Sequence, residues 1–129
     1  MILRNDELFR KDAVLPSGRR VTILGRIDGK LDDEIVEVKN RMRHFFDRVP
    51  LYERIQVQLY LWLTDAATCK FVQCLDGEQR EETLRPDPAF LRDTVFPEVD
   101  SSLDVLERVM RGDEEEQAAL LTERLPEKY

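Results

Sequence analysis

Two carboxylates and an amine, Asp28, Glu37 and Lys39, are spaced as a metal-dependent phosphodiester hydrolase needs them on two neighbouring strands. Residues 35–39, Ile-Val-Glu-Val-Lys, form a β-branched run in which every second side chain points the same way, so Glu37 and Lys39 share a face. Residues 21–28 are also strand-like, and the polar stretch 29–33 can reverse the chain. With a two-residue tip at Asp32-Asp33, position 28 opposes position 37. Directly opposed Cβ atoms lie roughly 4.5–5.5 Å apart, close enough for two carboxylates to grip one divalent ion, Mg²⁺ or Mn²⁺. Phosphodiester hydrolysis needs a metal that lowers the pKa of a bound water, a cation near the attacking oxygen, and neutralisation of the phosphate. A lysine beside the two acids suits the second role. The bland alternative is a surface strand with an i, i+2 ion pair; an aspartate in register and the helix that follows weigh against it.

Residues 9–15 and 19–28, joined by Pro16-Ser17-Gly18, read as a hairpin, and the reversal at Asp32-Asp33 adds 34–39, which places three antiparallel strands side by side. Residues 40–49 are charged and aromatic and read as a connection across the end of the sheet. Pro50 suits the first turn of a helix, capped by Asp47 or a neighbour. Residues 51–63 are apolar nearly all round, so this helix must be buried on more than one side, and Gln56 and Gln58 within it need partners. A strand at 69–76, a Gly77 turn and a weaker strand at 79–84 follow. Residues 90–111 are expected to be largely helical, with Pro97 starting or kinking a segment.

The 129 residues suit one domain, and the net charge of −7 is unevenly spread. Residues 1–26 and 39–54 each carry a net +3, residues 27–38 carry −4, and residues 76–129 carry −9. Basic clusters therefore flank the two acids, and a local positive groove is compatible with an acidic whole. Arg41, Arg43, Arg48 and Arg54 are the candidate contacts to backbone phosphates, with Tyr52 able to stack on a base. His44 is the sole histidine and reads as a loop residue, and Trp62, at helical spacing, as core. Cys69 and Cys74 lie five apart in one strand, on opposite faces, and are expected to be reduced thiols. No apolar run of membrane-spanning length and no leader is visible, which favours an intracellular location.

The ordered set Gly25-Arg26-Ile27-Asp28-Gly29, then Glu37-Val38-Lys39, then Gln56 to Tyr60 in Ile-Gln-Val-Gln-Leu-Tyr-Leu-Trp-Leu-Thr, resembles the PD-(D/E)XK nuclease superfamily. Within it the pattern is most similar to the phage-lambda-type exonucleases and their viral recombinase relatives, over about residues 19–110. The resemblance implies an α/β, restriction-endonuclease-like core: a central mixed sheet of four to five strands flanked by helices, spanning residues 1–112, with 113–129 an acidic tail or short helix. It implies that Asp28, Glu37 and the Val38 carbonyl bind Mg²⁺ or Mn²⁺, that Lys39 orients or activates the attacking water, and that Gln56 positions Lys39 or the substrate. Members of the family place a helix before the first strand, which contributes a further Glu; here hardly any chain precedes Phe9, so that helix is expected to be missing or shortened, with Glu7 the only nearby substitute. The implied activity is DNA cleavage, exonucleolytic or endonucleolytic, in recombination, repair or genome processing. The alternatives are an RNA endonuclease and a non-catalytic nucleic-acid-binding or assembly subunit. Expected partners are nucleic acid, DNA ahead of RNA, and further copies of the chain or a larger assembly, without a membrane.

Overall fold

The apolar residues of 51–64 form a helix that joins the two central strands and packs against the first hairpin. The computed structural model describes residues 3–4 and 7–111; the expected tail at 113–129 lies outside them. In chain order the strands and helices are β1 (Leu3–Arg4), β2 (Phe9–Val14), β3 (Arg20–Gly25), β4 (Gly29–Leu31), β5 (Glu34–Asn40), α1 (Leu51–Thr64), β6 (Thr68–Leu75) and β7 (Glu78–Leu84). The short α2 (Pro88–Phe90), a π-helical turn at Leu91–Val95 and α3 (Phe96–Arg111) complete the described chain.

The chain is mixed α/β. One sheet has five strands in the order β1-β4-β5-β6-β7, its first edge strand only two residues long, and β2 with β3 forms a separate two-stranded sheet. β5 and β6 run parallel, joined through α1, while the other neighbours are antiparallel. That parallel pair is the buried centre: Ile35, Val36, Cys69, Phe71 and Val72 are almost wholly covered, as expected for strands with helical cover. The main core joins Ile27, Ile35, Val57, Leu61, Ala66, Cys69 and Phe71.

The second hairpin turns at Asp32-Asp33, with Asp32 at φ 53, and pairs Leu31 with Glu34, Lys30 with Ile35 and Gly29 with Val36. The expected three-stranded antiparallel run does not form. Residues 20–25 pair only with 9–14, and the strand beside β5 is the new, shorter β4. The reason is α1: Gly25 lies so close to it that a Cβ there would stand 3.0 Å from Leu63 Cδ1 and 3.1 Å from a Tyr60 ring carbon. The chain therefore leaves the first hairpin on the helix and bends through residues 26–28 before rejoining the sheet. With β2 and β3 on one side, β6 on another and the π-helical turn on a third, α1 is buried on several sides, as its composition requires.

Pro50 occupies the N-cap of α1, and no side chain, Asp47 included, caps that helix. The π-helical turn runs without a break into α3: the Phe96 N–H donates to the Leu91 carbonyl, and this wider turn directly precedes Pro97, which has no N–H to donate. α3 clamps the tip of the first hairpin. Asp100 accepts from the Ser17 backbone N–H at 2.8 Å and from its hydroxyl at 2.7 Å, and Arg19 pairs with Asp104 and Glu107. Asp76 and Gly77, both at positive φ, make the two-residue reversal between β6 and the exposed edge strand β7. Among the described residues no helix is long and apolar enough to cross a membrane.

Candidate functional site

Two short strands and one helix bring the sequence-predicted groups together. Asp28 sits one step before β4, so the register that pairs Gly29 with Val36 carries it alongside Glu37. Its carboxylate Oδ2 accepts from the Val38 backbone N–H at 2.9 Å. The N–H and C=O of one strand residue point to the same edge, so the Val38 carbonyl faces the edge that Asp28 occupies. Glu37 is 3 % exposed. Lys39, two residues on and on the same face, places Nζ 3.7 Å from Glu37 Oε2 and donates to Gln56 Oε1 at 2.6 Å. The amide of Gln56 then donates to the Tyr60 hydroxyl at 3.2 Å.

The electrostatics of this cluster are unbalanced. Burial, reinforced by the neighbouring Asp28 carboxylate, pushes the Glu37 carboxyl up to about 7, against the opposing pull of Lys39 and of the Asp28 backbone N–H. Burial likewise raises the Tyr60 hydroxyl, with the negative charges of Glu37 and Asp28 adding to it and the Gln56 amide opposing. One lysine does not neutralise two adjacent acids. A second cation would, and the donors at hand, two carboxylates and a backbone carbonyl, are the hard oxygens that Mg²⁺ and Mn²⁺ prefer. Among the described residues no group of three or more His, Cys, Asp or Glu side chains converges, so Glu7 does not join the pair. Two carboxylates suffice for Mg²⁺, which usually keeps several of its waters.

The basic candidates separate into two kinds. Arg43, Arg48 and Arg54 are exposed, as is Tyr52, and the Arg54 guanidinium lies over the Phe90 ring at 4.4 Å. Arg41 overturns its expected phosphate role. It is buried, forms two 2.8 Å bonds to the Glu53 carboxylate, donates through Nε to Gln73 at 2.9 Å, and stacks on Phe46 at 4.6 Å. An arginine committed to those partners has no free fork to offer a phosphate. His44 is exposed and sits edge-on to Phe46, and Trp62 packs edge-on to Phe96. Both cysteines are free; Cys69 is buried, which pushes its thiol up to about 12.

Sequence reading gave no role to Tyr60 or to the Arg41–Glu53 pair. The signal for Tyr60 was its i+4 spacing from Gln56, which stacks the two on one helix face. No sequence signal joins Arg41 to Glu53 and Gln73, which meet only through tertiary packing.

No family model and no curated protein matches the chain. A solved structure described as "Crystal structure of SSO0001" is similar to it with a TM-score of 0.65 and 19% identity over 98% of this chain. The chain spans 60% of the length of that one. At this identity the likeness is one of fold.

Proposed function

We propose that the chain is a metal-dependent nuclease of restriction-endonuclease-like fold that hydrolyses phosphodiester bonds, with DNA its substrate ahead of RNA. The observation that carries this reading is the convergence of Asp28, Glu37 and Lys39 on one strand edge, with the lysine held from the opposite side by Gln56. Asp28, Glu37 and the Val38 carbonyl would hold Mg²⁺ or Mn²⁺. When bound, such an ion lowers the pKa of a water and offsets phosphate charge.

The protein's own groups do the rest. Lys39 presents a fixed positive charge beside the acids, where negative charge grows as water attacks phosphorus; a preorganised charge is worth more there than one that must reorient. Gln56 accepts from Lys39 and donates to Tyr60, which fixes the direction of the amide and limits the positions open to the amine. Arg43, Arg48, Arg54 and Tyr52 supply exposed positive and aromatic surface for a polyanion. The fold neighbour is the longer chain, so the activity of a whole protein built on this unit belongs to the same proposal.

Purified protein incubated with linear duplex DNA, closed circular DNA and single-stranded RNA, each with Mg²⁺, Mn²⁺ or EDTA, tests the reading. Metal-dependent loss of DNA supports it; loss of the linear form alone identifies an exonuclease, and nicking of circles an endonuclease. Cleavage of RNA alone selects the ribonuclease alternative, and binding without cleavage in any metal selects the binding-module alternative.

A further inference from the structure

β5 and α1 are joined by a second link beside the site. Lys39 in β5 and Arg41, the residue that follows its last one, are two positions apart, and both side chains reach α1. Glu53 and Gln56, three residues apart, share one face of α1. They pair in antiparallel order, Lys39 with Gln56 and Arg41 with Glu53. The Arg41–Glu53 pair is deeply buried, its side chains 4 % and 0 % exposed. Arg41 is also tied to the neighbouring strand: its backbone N–H donates to the Cys74 carbonyl, and its Nε to Gln73. Gln73 is held in turn by the N–H and C=O of Phe46. The guanidinium is therefore anchored to the sheet before it meets the helix.

A buried ion pair adds little net stability relative to apolar groups of similar volume, but its geometry is exacting. A bidentate fork tolerates little sliding, and α1 advances about 1.5 Å per residue. We propose that Arg41 and Glu53 are positioning residues: their bond fixes the register of α1 against β5, so that Gln56 meets Lys39 and sets the amine beside Glu37. This rests on the nuclease reading for its kinetic consequence and on geometry alone for its structural one.

The test is the double variant Arg41→Met/Glu53→Leu in the full chain, which replaces the pair by apolar groups of similar size. Its thermal midpoint should stay within a few degrees of the parent. Affinity for duplex DNA in EDTA should change less than twofold, while the cleavage rate at saturating DNA and Mg²⁺ falls about tenfold to a hundredfold, the effect of a displacement near 1 Å. Adding Gln56→Ala to it should cost less than twofold more, although Gln56→Ala alone costs about tenfold. Parental rates in a folded double variant, or losses that multiply, overturn the proposal. If the double variant does not fold, Arg41→Lys keeps the charge without the fork and carries the same expectations. A cleavage rate unaffected by Lys39→Ala would sink the nuclease reading instead. The proposal is then read from the Lys39 ammonium ¹⁵N resonance, assigned through Lys39→Arg: disappearance in the double variant supports it, and an unchanged resonance overturns it.

Discussion

Two clusters, one around Glu37 in β5 and one around Arg41 just beyond its end, treat charge in opposite ways. Around Arg41 every charge is answered: the guanidinium meets the Glu53 carboxylate twice, Gln73 accepts from Nε–H, and Phe46 covers the flat face. Around Glu37 the acids outnumber the single amine, and the Glu37 carboxyl is pushed up to about 7 by burial and by Asp28. Balanced networks hold a fold together. An imbalance retained under nearly complete burial is what a site that takes up a cation requires, because neutralising it in advance would remove the attraction.

The largest expected effect is on activity: Lys39→Ala and Asp28→Asn should each lower the rate of metal-dependent DNA cleavage by about a thousandfold or more with unfolding midpoints retained, followed by gel assay and circular dichroism. Next comes Arg41→Met alone, which strands the Glu53 carboxylate in the interior and should cost about 3–5 kcal/mol in urea unfolding.

The third effect has opposite signs in the two clusters. In EDTA at pH 8, Glu37→Gln should stabilise the protein by about 1–2 kcal/mol, whereas Glu53→Gln should destabilise it by a similar amount, both read from urea midpoints. The pH dependence has the same origin. The Glu37 carboxyl titrates near 7 when folded against 4.5 as its ordinary value, so the native state holds the extra proton between those values. Metal-free stability should therefore be highest below about pH 4.5 as far as this group is concerned, fall by on the order of 3 kcal/mol as pH rises to 7, and level off above. Glu37→Gln should abolish that fall. The smallest effect belongs to the exposed cations: Arg54→Ala should weaken DNA binding modestly and reduce the slope of log affinity against log salt by about 1.

What could be read from the sequence was what local rules control. Asp32-Asp33 fixed the hairpin register because equal steps from a two-residue tip determine pairing, and that alone aligned Asp28 with Glu37. The all-round apolar character of 51–63 required burial on several sides and received it. What was not legible depends on where that helix lies. The first hairpin packs on α1 through Gly25 instead of extending the sheet, a contact that no strand pattern encodes. Arg41 looked like one basic residue among four because its partners stand 12 and 32 positions away. The expected cap at Asp47 failed because Pro50 itself is the N-cap of α1, which leaves Asp47 three residues outside the helix.

If Asp28 and Glu37 form one cation site beside Lys39, Mn²⁺ titration followed by electron paramagnetic resonance should show saturable binding by the parent chain, lost in Asp28→Asn/Glu37→Gln and kept in Arg41→Met/Glu53→Leu. Undiminished binding in the variant that lacks both acids would contradict it.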